Sequence, residues 1–353
     1  MIWTEKYKPK DLKSIKGSVE TLDKLMQYDI NTIPHLIIHG ISGVGKRTVV
    51  SCLINHLFGI SPVPKIRKTE IKNNSGSIEV SYTEADEYIE ISPSEYGYQD
   101  KLIIQTIIKE MAQSKPILSL FSKSKRSSIK IIVITSAEDL SAEAQAALRR
   151  TIEVYSASFR VFLICSQLSK IIEPIRSRCL FYRLEALSVK ETKDILMDIK
   201  EKENSLVTEE DIDSIVKESN GNLRRAITKL EMLNLSIKTG DKRKKMESNI
   251  KLDWEKTMDE IVGQIKRNLQ PEVILEVRKT LYTLVNSCVP ANFIINELYR
   301  RFIVGKSVED TERILDLALK YEERIKTGTK GIYHIEAFII GVMCILKGIE
   351  IKE

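Results

Sequence analysis

The sequence predicts an α/β layered fold followed by purely helical segments. Two observations carry this. Short apolar runs rich in β-branched residues recur through the first 185 residues with helical patterns between them, and after Leu184 only the helical patterns continue. The runs are "HLIIHG" (35–40), "YIEIS" (88–92), "IKIIVIT" (129–135), "FRVFLICS" (159–166) and "CLFYRL" (179–184). Each has the length of a strand and is too continuously apolar for a half-exposed one, so all five read as buried strands of a mostly parallel sheet. Strands alternating with helices give an α/β architecture.

The remaining elements follow in order. "KRTVVSCLINHLF" (46–58) is a helical run directly behind the first strand. The interval 57–87, with "NNSG" at 73–76, reads as a loop or a β-hairpin inserted into the fold. Residues 101–113 set Ile103, Ile107 and Met111 on one stripe beside Ile104 and Ile108. Residues 142–155 form a helix with Ser141 as its N-cap. A small helical unit spans 187–236, and the polar stretch "KTGDKRKKMESN" (238–249) reads as a linker. From Trp254 to Lys352 the pattern is helical again. A chain of 353 residues exceeds one ordinary core. Three domains are expected: 1–185 α/β, 186–237 small helical, and 250–353 larger helical.

Composition narrows the class. Hydrophobic residues at 42% and charged residues at 29% read as globular. There is no run of 18 or more apolar residues for a membrane span, and the opening "MIWTEKYKPKDL" carries no apolar export segment. The five cysteines are scattered without a C-x-x-C pair, the usage of reduced thiols. Four histidines, none at metal-ligand spacing, give no expectation of zinc. A net charge of +6 is compatible with a polyanionic partner without requiring one.

The most informative stretch is "HGISGVGKRT" (39–48). Gly40, Gly45 and Lys46 meet the pattern G-x-x-x-x-G-K-[ST] between a strand and a helix. Glycines there, Gly43 included, let backbone N–H groups approach phosphates, and the lysine reaches the outer ones. The loop residues Gly40, Gly43, Val44, Gly45, Lys46, Arg47 and Thr48 are therefore the expected nucleotide contacts. Position 47 departs from the pattern: the hydroxyl that ligates Mg²⁺ belongs there, and Arg47 has none. Thr48, one residue on, points about 100° away on a helix. A second acidic element is expected at the end of another central strand, where Thr135 and Ser136 stand in "KIIVITSAEDLS" (130–141). Glu138 and Asp139 come later and read as a solvated turn. The site is expected to bind nucleotide without hydrolysing it, and magnesium is uncertain there.

With these residues stand "AQAALRRTIEVYS" (144–156), "KIIEPIRSRC" (170–179) and "SNGNLRRAI" (219–227). Together they resemble a small subunit of replication factor C, the eukaryotic clamp loader, within the AAA+ ATPases. "WTEKYKPKDL" (3–12) resembles the box that opens those subunits, with Lys8 where arginine is usual. "ISPSEYGYQDKLIIQTIIKEMAQ" (91–113) and "GIYHIEAFIIGVMC" (331–344) look most like the paralogue whose own ATP site is degenerate. The resemblance implies an AAA+ P-loop domain, a helical lid and a helical collar. It implies ATP or ADP as ligand, with Tyr7 to Pro9 against the adenine, Arg224 as a γ-phosphate sensor and Ser166 where a polar sensor, usually asparagine, is expected. It makes Arg178 an arginine finger acting on a neighbouring subunit's ATP, although alone Arg178 reads as a surface ion pair.

The same resemblance implies a hetero-pentamer in the nucleus, with a sliding clamp and primer–template DNA as partners. Lys101, Gln105 and Ser141 are the positions expected to meet the DNA backbone, and a solvated helix end is the other reading of each. The run "KSKRSSIK" (123–130) is a further candidate for phosphate contact, with a solvated loop as the favoured reading. Ile117, Leu120 and Phe121 in "SKPILSLFSK" (114–123) are the expected clamp contact, with ordinary core packing as the alternative. Two other functions compete. A self-contained AAA+ DNA motor, such as a branch-migration helicase, needs acidic residues where Thr135 and Ser136 stand. A scaffold without nucleotide has no use for Gly40, Gly45, Lys46 and Arg224.

Overall fold

A computed structural model describes residues 1–59, 64–73, 76–85, 87–113, 129–156, 158–238, 252–328 and 330–349. The chain divides into two compact units, Met1–Asn249 and Ile250–Glu353. The linker expected at 238–249 falls, past Lys238, outside the described residues. No helix among the described residues is long and apolar enough to cross a membrane.

The first unit is built on a seven-stranded sheet. Its strands are β1 (Leu36–His39), β2 (Lys65–Asn73), β3 (Gly76–Glu84), β4 (Tyr88–Ile91), β5 (Lys130–Ile134), β6 (Phe159–Cys165) and β7 (Leu180–Arg183). The spatial order is β2-β3-β4-β5-β6-β1-β7. All pairings from β4 through β7 are parallel, whereas β2 and β3 form an antiparallel hairpin joined antiparallel to β4. The interval 57–87, where the sequence allows a loop or a hairpin, thus contributes a hairpin that extends the sheet. One expectation needs correction. β7 is not a buried strand: Leu180 is 46% and Phe181 58% exposed. It lies at the sheet edge, hydrogen-bonded to β1 alone among the described strands.

The central strands are apolar throughout because both faces are covered. Ile37, Ile132, Ile134, Val161 and Leu163 pack on one face with Ile103, Ile107, Leu148 and Ile152. These last four come from α4 (Asp100–Gln113) and α5 (Ala142–Tyr155). The alternate residues Leu36, Ile38, Ile131, Val133, Phe162 and Ile164 turn to the other face. There they meet α2 (Val19–Met26) and α3 (Lys46–Phe58), through Leu22, Leu25, Val49 and Leu53. A period of two on the strands therefore feeds two separate cores. Parallel pairing also carries the carboxyl ends of β1, β4, β5 and β6 to one edge, where open α/β sheets bind ligands.

The same unit contains α7 (Val189–Lys202), α8 (Glu209–Ser219) and α9 (Leu223–Lys238). Capping boxes start α7 (Ser188 with Glu191) and α8 (Thr208 with Asp211). The short α1 (Trp3–Lys6) packs on α9, and the Trp3 N–H donates to Glu231 (3.1 Å). A further short helix, α6 (Glu173–Arg176), precedes β7. The second unit is helical: α10 (Asp253–Arg267), α11 (Val273–Asn286), α12 (Ala291–Phe302), α13 (Val308–Thr327) and α14 (Gly331–Leu346). They share one core, including Met258, Leu281, Leu298, Phe302 and Phe338.

Candidate nucleotide site

The loop 40–45 joins β1 to α3 and is locked where it stands. A Cβ on Gly40 would lie 2.4 Å from the backbone oxygen of Leu184. Gly43 has φ +81°, and a Cβ there would lie 1.9 Å from Asn222 Oδ1. Asn222 is itself fixed, because its Oδ1 accepts the Arg225 N–H (3.0 Å) at the start of α9. The Arg224 N–H donates to Gly43 O (3.3 Å). The loop is therefore clasped between the sheet and the first turn of α9.

A cleft opens on each side of it. One is lined by Tyr7, Pro9, Val44, Thr48, Leu187 and Leu223, the other by Lys46, Arg47, Thr135, Ser136, Ser166 and Arg224. Their volumes, about 800 and 860 Å³ including the open mouths, lie in the range of small-molecule sites. The first is mainly apolar, as a base requires. Tyr7 is held by a hydrogen bond from its hydroxyl to Glu203 (2.7 Å), which also pairs with Lys6 (2.6 Å). Burial, and then that hydrogen bond, raise the Tyr7 pKa. Pro9 is tied to α3 through its carbonyl, which accepts from Cys52 Sγ (3.2 Å).

The second cleft is cationic. Lys46 Nζ donates to Ile41 O and Ser166 Oγ, both at 3.1 Å, and to Gly40 O. Burial lowers its pKa; Glu138 and Cys165 oppose the shift, and the positive charge of Arg224 adds to it. Lys46 and Arg224 thus repel one another across a shared cleft, an arrangement that an anion relieves. Arg47 Nε stands 2.5 Å from Glu90 Oε1. Thr48 lines the opposite cleft, so the hydroxyl next to position 47 does turn away from the phosphate side. Thr135 and Ser92 bring their hydroxyls together in the same cleft.

Glu138 corrects the sequence reading. It is no solvated turn residue: Ser136 takes φ +50° and the turn Ala137–Asp139 brings Glu138 back to the cleft. Its Oε1 accepts the Ser166 N–H (2.9 Å), and its Oε2 is buried without a hydrogen-bond partner among the described residues. Asp139 remains exposed, 3.6 Å from Lys170.

These residues fit a nucleotide's phosphates: the loop glycines Gly43 and Gly45, Lys46 and Arg224 line one cleft. They fit magnesium poorly: an arginine holds the hydroxyl position and hydroxyls follow the end of β5, leaving Glu95 and Glu138 as the carboxylates that line this cleft.

Arg178 lines neither cleft. Its guanidinium pairs with Glu153 on α5 (2.7 Å) and donates to Pro174 O (2.7 Å) and Ser177 Oγ (3.2 Å). Glu153 also takes a hydrogen bond from Arg149 (3.0 Å). That bond, with Arg178 beside it, lowers the Glu153 pKa. At the opposite end of α5 Lys101 pairs with Glu143 (2.8 Å), and Gln105 is exposed. Ser141 caps α5, its Oγ accepting from the Ala144 N–H (3.1 Å) and donating to Asp100 (2.9 Å). Ile117, Leu120 and Phe121 lie outside the described residues.

Comparison with known proteins gives this arrangement a family. Residues 254–350 match the model "Replication factor C subunit 3, C-terminal domain". Residues 194–235 match "RCF1/5-like, AAA+ ATPase lid domain", and 19–188 match "DNA polymerase III, delta subunit". The sequence is 33% identical to replication factor C subunit 3 of Arabidopsis thaliana over 100% of this chain and 99% of that one. It is 34% identical to subunit 5 of rice, with 98% of each chain covered. The chain belongs to the replication factor C subunits. Its fold is the α/β AAA+ architecture. A solved Thermotoga maritima RuvB branch-migration motor aligns over 97% of the chain at 15% identity and a TM-score of 0.46. That likeness is too low to bear on fold or function.

Several residues that position this replication factor C subunit's helices and clefts are not singled out by sequence patterns. Glu90 meets Arg47 from 43 positions away, Asn222 meets Gly43, and Glu203 holds Tyr7. Asp100, 2% exposed, ties the starts of α4 and α5 together. Only Asn222 had a signal, as the residue before the "LRR" of a recognisable segment.

Proposed function

We propose that this chain is a small subunit of a sliding-clamp loader that holds ATP or ADP with little or no hydrolysis of its own. The observation that carries the reading is Lys46 and Arg224 facing one cleft in which Thr135 and Ser136, not carboxylates, follow the end of β5. The cations and loop amides bind phosphates, and Tyr7, Pro9 and Val44 take the base. Thr135 and Ser136 can neither ligate a metal as carboxylates nor draw a proton from water, and Glu138, the carboxylate that does reach the cleft, lies past the strand end with its Oε1 engaged by the Ser166 N–H, so binding is retained while turnover is low.

The chain's catalytic contribution lies in trans. Arg178 stands at the surface beside Arg149, turned to neither of its own clefts, as an arginine meant for a neighbour's nucleotide must be. Its pairing with Glu153 keeps the guanidinium oriented until an anionic partner takes over. The neighbour belongs to a hetero-pentamer, and the helical unit 250–353 is the collar through which it assembles. The first unit comprises the nucleotide domain, 1–185, and the lid, 186–237.

Primer–template DNA is met through its phosphates at the starts of α4 and α5. The exposed Lys101–Glu143 pair is worth under about 1 kcal/mol, so exchanging Glu143 for a phosphate costs little. Gln105 adds a donor, whereas Ser141 acts through the cap it makes. The segment with Ile117, Leu120 and Phe121 is assigned to the sliding clamp. The setting is the nucleus. A test on the isolated chain is equilibrium binding of ATP and ADP beside multiple-turnover hydrolysis. Binding without turnover is expected, abolished by Lys46→Ala. Turnover by the chain alone revives the self-contained motor, and absence of binding leaves a scaffold.

A further inference from the structure

The ion pair at Arg47 does more than remove a metal ligand. Arg47 lies in the first turn of α3, where the phosphate-loop pattern places the hydroxyl that ligates Mg²⁺. Its Nε is 2.5 Å from Glu90 Oε1 at the end of β4, and the Glu90 side chain is only 12% exposed. Oε1 is a buried atom that makes no well-directed hydrogen bond, so the contact is mainly charge on charge. A nearly buried carboxylate therefore anchors the guanidinium from its inner end. The outer end is free: the side chain is 59% exposed, Arg47 lines the phosphate cleft, and its terminal nitrogens have no hydrogen-bond partner among the described residues.

Glu90 thus neutralises one side of a cation that lines the same cleft as Lys46, Ser92 and Thr135. A guanidinium presents a planar fork of donors that matches phosphate oxygens two at a time, stays charged at every working pH, and sheds water readily. It supplies positive charge where a divalent ion is otherwise needed, but it has no coordination sphere in which to order an attacking water.

We propose that Arg47, braced by Glu90, takes the place of Mg²⁺, so that this subunit binds nucleotide phosphates independently of divalent metal. The proposal rests on the nucleotide-binding reading above. It adds a consequence that reading does not require: the site holds its ligand when magnesium is withdrawn.

The test uses the full chain and a fluorescent ADP analogue, titrated in excess magnesium and in excess EDTA. For the wild-type chain the two dissociation constants are expected to agree within about threefold. Arg47→Thr removes the guanidinium and restores a hydroxyl. It is expected to bind about tenfold more weakly in EDTA and to regain affinity with magnesium. Arg47→Lys keeps the charge without the fork and is expected to remain insensitive to EDTA while binding more weakly. Thermal unfolding without ligand establishes that each variant folds.

A tenfold or greater loss of wild-type affinity in EDTA overturns the proposal and leaves the nucleotide-binding reading standing. Equal binding by wild type and Arg47→Thr in EDTA also overturns it, by removing any role for the guanidinium. No binding under either condition overturns the nucleotide-binding reading itself.

Discussion

Asp100→Ala is the substitution for which the structure gives the clearest magnitude. Asp100 opens α4 and is 2% exposed. Its Oδ1 accepts from the Lys101 N–H (2.7 Å) and the Ser141 hydroxyl (2.9 Å), and its Oδ2 accepts from the Ser141 N–H (2.7 Å). Ser141 in turn caps α5 through the Ala144 N–H. Alanine removes three hydrogen bonds from a charged acceptor, each worth about 1.5–3 kcal/mol. They converge on one group and are not additive, so a total of about 3–4 kcal/mol is expected. Asparagine keeps one acceptor and turns an amide donor toward donors already present, so Asp100→Asn is expected to fall between wild type and alanine. With two compact units a single global transition is not assured, and hydrogen exchange resolved by peptide is the suitable assay. Protection at the amino-terminal turns of α4 and α5 is expected to drop at least about 100-fold. ADP affinity is expected to stay put, because Asp100 lines neither cleft. Exchange within about twofold of wild type in both turns would refute the reasoning.

Gly43→Ala meets Asn222 and a backbone angle that alanine avoids, and is expected to cost about 2 kcal/mol and weaken ADP binding. Adding Asn222→Gly removes the obstruction, so the double variant should lose less than the two singles summed, read by denaturation and ADP titration. His35 has its pKa pushed down to about 4 by burial, with Arg160 adding to it, and its Nδ1 accepts the Val161 N–H (3.1 Å). A histidine depressed in the folded state is stabilising in full above its unfolded pKa, about 6.5, and its contribution is lost as pH falls toward the folded value. Stability is expected to decline by about 2–3 kcal/mol between pH 6.5 and 4 on this account, and His35→Asn should flatten that slope in urea unfolding.

The sheet is legible where burial on both faces forces continuous apolar runs, as in "LIIH" and "FRVFLIC". β2 and β3 are harder to read. "KIRKTEIKN" mixes charge with β-branched residues, and only its pairing with "GSIEVSYTE" makes it a strand. β7 misleads for the opposite reason, being apolar at an edge that the sequence gives no means of locating. In the site, Gly40, Gly45, Lys46 and the departure at Arg47 are local and therefore readable. Glu138 is not, because the left-handed backbone at Ser136 returns a turn residue to the cleft. The Arg47–Glu90 pair and the Asp100 staple join residues about 40 positions apart, beyond any local pattern.

The most direct test of the account compares two single substitutions in this chain within a reconstituted clamp loader, measuring ATP turnover in the presence of clamp and primer–template DNA. An arginine supplied in trans is worth about 10³–10⁵ in rate at the site it serves. Arg178→Ala is therefore expected to remove one neighbouring site's share of turnover, while Lys46→Ala leaves the rate nearly unchanged. The reverse result, with Lys46→Ala removing a full share and Arg178→Ala none, contradicts the account. It would mean that this subunit hydrolyses its own nucleotide despite Arg47, Thr135 and Ser136.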